Sequence, residues 1–329
     1  MTIPPPSLTL DDLAAMCRRA FPERQVQQID FIAPLHSRQH EMIAFDLRWQ
    51  GRSGEYVLPL IARRYVSTLS WWRPDDYGKA QREVTVTRWL HQQGMPVAVV
   101  YSREFSALGD VVICSRMPGY DWSAEGRSFP SVALEQARGF AWLLARLHSL
   151  AAPPEVEAVT PLVSVPAAVA ALAGLAIQVE QPDLSQAVEQ ATAHAYDVRE
   201  TPPVVLHGDY HLSNVLMSEG QISGIVDWEY AARGDPRWDV ANAYIQMVDF
   251  DASAAADAFL SAYLEFSGRS FEGPPIHTTL AALQQWTISE WLLRRQERGE
   301  TQTFALARDL ISLRDVHRRR AIRAMNWMA

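Results

Sequence analysis

His207, Asp209, Asn214 and Asp227 are spaced so that two carboxylates and a carboxamide can share one small volume. The apolar run Val204-Val205-Leu206 leads into His207-Gly208-Asp209, and Asn214 opens a second run, Val215-Leu216-Met217. Ser218-Glu219-Gly220 supplies a turn, and Gln221 to Val226 brings the chain back to Asp227. A tight hairpin therefore returns Asp227 close to Asp209. Carboxylate and carboxamide oxygens are hard ligands that suit magnesium, and a second carboxylate can receive or orient the proton of an attacking hydroxyl. Phosphoryl transfer needs little from a protein beyond such positioning and charge neutralisation. Each piece alone is common, because a strand ending in Asp is usually just a cap; the information lies in the joint spacing.

The elements that must hold these residues change character along the chain. Thr9 with Asp12 forms a capping pattern that opens a helix through Leu13, Met16 and Phe21. From Gln25 to Val66 apolar and polar residues alternate (Ile43, Phe45, Leu47, Trp49), as in half-buried strands, with a turn at Gly51-Arg52-Ser53-Gly54. Pro59 demotes part of the strand Tyr56–Ala62 to an edge or irregular stretch. A helix is expected from about Tyr77 to Gln93, stopped by Gly94 and Pro96. Val97–Val100 and Val111–Cys114 are further short apolar runs. Beyond Met117-Pro118-Gly119 the pattern is mainly helical: Ser131–Leu150, Ala167–Val179, Leu184–Val198, Ala254–Phe266, Leu280–Leu293 and Thr303–Met328, with Ala151–Pro166 read as a proline-rich loop. The fold class expected is α+β, with a strand-rich N-terminal lobe over residues 1–115 and a larger helical C-terminal lobe over 116–329.

Composition narrows the function classes. The chain has 329 residues, 48% hydrophobic and 21% charged, with formal net charge -8. That is a globular composition long enough for two lobes, with no basic face for nucleic acid. Arg318-Arg319-Arg320 reads as the solvated end of a last helix. The two cysteines, Cys17 and Cys114, form no CxxC pair, which excludes a disulfide scaffold or a cysteine-based zinc site. No signal peptide or membrane-length apolar segment is visible, so a cytoplasmic location without membrane association is expected. No GxxxxGK[ST] occurs, which excludes a P-loop enzyme on motif grounds.

The spacing H-x-D-x-x-x-x-N followed by a hairpin and an Asp is that of a kinase catalytic loop. Together, VVLHGDYHLSNVL and ISGIVDWEYAARGDPRWDVA resemble the aminoglycoside phosphotransferase and choline kinase-like family. The resemblance spans about residues 25 to 250 and is strongest from 204 to 240. It implies a bilobal protein-kinase-like fold and transfer of the ATP γ-phosphate to a hydroxyl of a small molecule, with ATP and Mg2+ as cofactors. It implies that Asp209 is the catalytic base, that Asn214 and Asp227 bind magnesium, and that His207 supports the loop. Asp235 and Asp239 correspond to the segment that buttresses that loop, and His211 reads as a packed loop residue.

The family's phosphate-binding strand cation falls on Arg63, with Arg64 on the opposite strand face as the alternative. A helix glutamate paired to it falls on Glu83. Val112 to Gly119 corresponds to the link between lobes, which places Ser115 and Met117 at the nucleotide. The phosphate-covering loop between Phe31 and Ile43 has no glycine, so Ser37, Arg38 and His40 are the residues available there. Two other readings follow from the same residues. One is a nucleotide-binding pseudokinase with a regulatory role, favoured by the missing glycines and the arginine in place of lysine. The other is a two-metal phosphoesterase using His207, Asp209 and His211, which lacks the companion histidines such a site needs. The acceptor is open. Trp228, Glu229, Tyr230, Asp249 and Asp251 could face a cationic or sugar-like molecule, or be a solvated face and core aromatics. Trp286, Trp291 and Trp327 read as packing residues.

Overall fold

A computed structural model of the chain describes residues 7–24, 26–35, 40–66, 76–121, 134–195, 198–199, 201–249, 252–271, 276–299 and 307–326. Ser37, Arg38, Asp251 and Trp327 lie outside these residues, and the side chain of Asp249 does too.

The N-terminal part is a five-stranded antiparallel sheet: β1 (Val26–Leu35), β2 (His40–Gly51), β3 (Gly54–Tyr65), β4 (Val100–Ser106) and β5 (Gly109–Ser115), in the order β1-β2-β3-β5-β4. Helix α1 (Leu10–Ala20) is closed at its start by the expected capping box, in which the Asp12 N–H donates to Thr9 Oγ1 and the Thr9 N–H donates to Asp12 Oδ2. Such a cap contributes about 1 kcal/mol. Its buried Leu13, Met16 and Cys17 join Phe45, Leu47 and Leu60 of the sheet in one core. Phe45, Leu47 and Leu60 are fully buried, and each such side chain stabilises the lobe by about 1.5–3 kcal/mol. Strand β5 pairs with β3 only from Leu60 onward. Pro59 thus stands at the end of the β5 ladder, where its carbonyl accepts the Arg116 N–H at 3.0 Å and its missing N–H interrupts no strand pair.

Helix α2 (Lys79–Gln92) lies between the sheet and the helical part. The helical part holds α3 (Leu134–Ser149), α4 (Pro154–Val159), α5 (Val165–Val179), α6 (Pro182–Ala195), α7 (Arg237–Asp249), α8 (Ser253–Ser267), α9 (Ile276–Glu297) and α10 (Ala307–Asn326). One core joins α2, α3, α7 and α8 around Phe140, Tyr210 and Phe259, and a second joins α5, α6, α9 and α10 around Trp286. Among the described residues no helix is long and apolar enough to cross a membrane.

Two expectations are corrected. The proline-rich segment 151–166 contains α4, a two-residue strand β7 (Leu162–Val163) and the start of α5. Pro153, Pro154 and Pro166 sit at helix starts, where the absent N–H has no partner to lose, and Pro161 follows the end of α4. Arg320 is not a solvated helix end; it is 2% exposed.

Between α6 and α7 lie the short strands β8 (Val204–Leu206), β9 (Val215–Ser218), β10 (Gln221–Ile225) and β11 (Ala232–Gly234). Strands β9 and β10 form the expected hairpin, and β6 (Tyr120–Asp121) extends it. Strand β8 pairs with β11.

Candidate active site

The His207–Asp209 loop follows β8 and is held from three sides. The Asp239 carboxylate, at the start of α7, accepts the His207 N–H at 2.7 Å and the Gly208 N–H at 2.9 Å. His148 of α3 lies against the same carboxylate, with Nε2 3.2 Å away. Gly208 adopts φ +83°, and a Cβ there would stand 2.1 Å from the Tyr230 carbonyl oxygen, so only glycine fits. His207 is fully buried, with Nε2 3.0 Å from the Val226 carbonyl oxygen. Burial lowers its pKa, so it is a neutral strut.

This scaffold presents Asp209 among polar partners. Asn214 Nδ2 donates to the Asp209 carbonyl at 2.9 Å and to Oδ2 at 3.3 Å. His211 Nε2 lies 3.2 Å from Oδ2, and Asn242 Nδ2 of α7 donates to Oδ1 at 3.2 Å. Burial works against the carboxylate, but His211, His207 and Asn242 outweigh it and hold the pKa at about 2. Asp209 is ionised at neutral pH. His211 therefore belongs to the site itself and is more than loop packing.

The hairpin returns Asp227 beside Asn214, and the Val226 N–H donates to the Asn214 carbonyl at 3.0 Å. Asp227 has φ 72° and ψ 55°, a left-handed conformation uncommon outside glycine that Asp tolerates better than most residues. Asn214 spends its Nδ2 on Asp209, which directs its amide oxygen away. Asp227 Oδ1 accepts from Arg63 at 2.7 Å. The donor set that remains, an amide oxygen and a carboxylate oxygen on adjoining backbone, is chemically suited to magnesium.

Alternation along β3 sends Arg63 and Arg64 to opposite sides. Arg63 Nη1 donates to both oxygens of Glu83 on α2, at 3.1 and 2.9 Å, and Nη2 donates to Asp227 and Glu229 at 2.7 Å each. Arg64 instead pairs with Glu41 at 2.6 Å. It is 5% exposed, so it is a buried cation. Glu83, Asp227 and Glu229 bring carboxylate oxygens within 4.8 Å of one another, yet the Arg63 guanidinium already donates to all three. Burial, opposed by Arg63 and reinforced by Asp227 and Glu229, raises Glu83 to about 7.

Glu229 was not singled out by the sequence as part of this centre. It is 1% exposed, which excludes a solvated or acceptor-facing role. Besides Arg63 it meets Lys79 Nζ at 3.2 Å and the Nε2 of His40. Burial opposes its charge, but His40, Lys79 and Arg63 hold its pKa well below the usual carboxylate range. Lys79 also reaches the Tyr230 hydroxyl at 3.3 Å and lies over that ring. A signal was available: Lys79 is the only lysine in the chain. Arg82 locks the same segment, donating to the Glu229 carbonyl at 2.6 Å and to Asp76 at 2.8 Å.

Ser115 ends β5, and its hydroxyl accepts from the Val99 N–H at 2.9 Å. Met117 packs against Gly224 of β10. Both stand at the passage from sheet to helices. Trp228 and Trp286 are core residues at 1% exposure.

The profile of the phosphotransferase enzyme family matches residues 47–274, which include every residue of this centre except His40. The chain belongs to that family. Among solved structures, this phosphotransferase is similar to a putative aminoglycoside phosphotransferase from Ralstonia eutropha, at 16% identity and TM-score 0.68, covering 97% of this chain and 99% of that one. It is similar to an ethanolamine kinase from Plasmodium vivax at 13% identity and TM-score 0.62, covering 96% and 89%. A thermostable aminoglycoside phosphotransferase mutant in ternary complex with ADP and hygromycin B matches at 15% identity and TM-score 0.58, covering 96% and 98%. At these identities the likeness establishes the kinase-like fold. Compared with curated proteins by sequence, the chain has no match.

Proposed function

We propose that this phosphotransferase moves the γ-phosphoryl group of ATP to a hydroxyl of a small molecule, with Asp209 as base and Asn214 and Asp227 as the magnesium ligands. The observation that carries this reading is the convergence of an ionised Asp209 with Asn214 and Asp227 across one hairpin. The ADP bound in a similar structure agrees with nucleotide use. When bound, magnesium supplies charge neutralisation at the phosphates. Asp209 orients the acceptor hydroxyl and takes its proton as the new O–P bond forms. The bond from the γ-phosphorus to the bridging oxygen breaks, and ADP leaves with that electron pair. A carboxylate with a pKa of about 2 is a weak base, which fits a loose transition state in which the proton moves late.

Arg63 and Glu83 serve as the phosphate clamp and its anchor, and the backbone at Ser115 and Met117 meets the adenine. Both lobes, 1–115 and 116–329, then contribute to one cleft. The test is ADP release over a panel of amino sugars, amino alcohols, nucleosides and sugars. Turnover with at least one acceptor, reduced on the order of 10²–10⁴-fold in Asp209→Ala at unchanged fold, supports the reading. A binding-only role draws on the closure of Arg63 onto Asp227. Magnesium-dependent ATP binding with no turnover on any acceptor would decide for it.

A further inference from the structure

The donor that reaches Asp209 Oδ1 is the end of a longer chain. Gln285 Nε2 of α9 donates to Asn242 Oδ1 at 2.7 Å, and Arg320 Nη1 of α10 donates to Gln285 Oε1. Arg320 and Asn242 are 2% and 6% exposed. The Gln285 carbonyl is itself 3.0 Å from His317 Nδ1, which ties the same turn of α9 to α10 a second time.

The polarity of this chain is fixed from both ends. Arginine only donates and an ionised carboxylate only accepts, whereas a carboxamide can be turned either way. With Arg320 on its oxygen, Gln285 must offer its NH2 to Asn242, and Asn242 must then offer its own NH2 to Asp209. If Asn242 turned over, its amide oxygen would face the Asp209 carboxylate; if Gln285 turned over, its oxygen would face the Asn242 oxygen and its NH2 the Arg320 guanidinium. Hydrogen bonds aligned in this way polarise and strengthen one another in a buried setting.

The two oxygens of Asp209 are also unequal. Each has about two acceptor positions. Oδ2 has Asn214 and His211 beside it, whereas among the described residues Oδ1 has only Asn242. Oδ1 is thus the oxygen with an acceptor position left for a substrate hydroxyl, and Asn242 is the group that sets its direction.

We propose that Asn242, Gln285 and Arg320 are positioning residues for the phosphotransfer reaction: a one-way hydrogen-bond chain from the last helix that aims Asp209 Oδ1 at the acceptor hydroxyl. This rests on Asp209 acting as the base. The chain makes α10, far along the sequence from the catalytic loop, part of the catalytic apparatus. It also gives a reason for burying an arginine in a helix whose exposed face has Arg318 and Arg319 for the solvent.

The experiment compares Asn242→Ala, Gln285→Glu, Arg320→Met and Arg320→Lys with the parent and Asp209→Ala, following ADP release with the acceptor identified, or with water when none is. Gln285→Glu preserves size and the bond to Arg320 but removes the donor to Asn242; Arg320→Lys preserves a donor to Gln285. The expected result is a kcat loss approaching about 10²-fold in Asn242→Ala, the scale of a misplaced reacting group. Gln285→Glu and Arg320→Met lose kcat in the same direction, KM for ATP is unchanged, and Arg320→Lys recovers most of the rate. A full kcat in folded Asn242→Ala and Gln285→Glu overturns the chain, as does an Arg320→Lys no better than Arg320→Met. Asp209→Ala with undiminished turnover overturns the base assignment instead, and the two failures are told apart by that variant.

Discussion

Arg63 Nη2 stands 2.7 Å from Asp227 Oδ1 and equally 2.7 Å from Glu229 Oε2, so one guanidinium edge joins the residue proposed to hold magnesium to a carboxylate sealed in the interior. The other terminal nitrogen, Nη1, is shared between both oxygens of Glu83. Only arginine has the planar set of donors to serve three carboxylates at once. Arg63→Lys keeps the charge and loses the fork. We expect it to raise the KM for ATP by about tenfold or more and to lower unfolding stability by about 3 kcal/mol, the scale of a broken buried ion pair. Initial-rate kinetics and urea unfolding check both.

The one lysine of the chain offers an independent handle on the same cluster. Lys79 is 2% exposed and meets Glu229 and Tyr230. Replacing it by Met leaves Glu229 with less compensation in a buried place and should cost about 3–5 kcal/mol. Because no other ε-amine exists in the chain, amine labelling reads this site alone. Native protein should label only at its α-amino group, and urea-unfolded protein should gain a single further label.

The candidate catalytic residues were legible because they are local. His207 to Asp227 is one loop and one hairpin, so turn signals and strand length fix which groups meet. The choice of Arg63 over Arg64 reduces to strand alternation, although the buried pairing of Arg64 with Glu41 needed the neighbouring strand. Glu229, Lys79 and His40 meet across 150 residues or more of chain, and no spacing rule reports a contact of that kind. The same holds for Asn242, Gln285 and Arg320, which sit on three helices whose faces are all partly apolar. Helix α4 was hidden for a different reason: prolines punctuate loops and also begin helices, and residues 151–166 have both uses.

Asp239 holds the His207–Asp209 loop by two backbone N–H groups while it is buried beside His148. Asp239→Asn keeps the shape but turns one acceptor oxygen into a donor that faces an N–H. Charge-assisted bonds of this kind contribute about 1.5–3 kcal/mol each. We expect a stability loss of about 2–4 kcal/mol in denaturant unfolding, together with a fall in kcat, since the loop that carries Asp209 loses its anchor.

Gly208→Ala tests the loop from its other side. The new methyl group would stand 2.1 Å from the Tyr230 carbonyl in a backbone conformation that L-residues avoid. Backbone must move to accept it, and Tyr230 is fixed through Lys79 and the segment locked by Arg82. The variant should lose at least about 3 kcal/mol of stability, and folded material should be inactive even under conditions that favour the native state. Thermal unfolding followed by ADP-release assays separates the two effects.

Asp235 gives a pH signature apart from the candidate catalytic centre. Its carboxylate accepts from the Thr201 N–H at 2.8 Å and from the Arg237 backbone N–H and guanidinium at 2.7–2.9 Å. Burial opposes its charge, but Arg237 and the two N–H groups prevail and hold the pKa at about 2. A folded pKa below the unfolded value of about 3.9 means that the unfolded chain binds the proton more readily. The stability this gives is fully present above the unfolded pKa and is lost as pH falls toward 2. Asp235→Asn should therefore be less stable than the parent at pH 7, and the gap between their urea midpoints should narrow steadily from pH 5 to pH 3. A gap that stays constant over that range would mean that Asp235 acts through shape alone, with its charge contributing nothing to the fold.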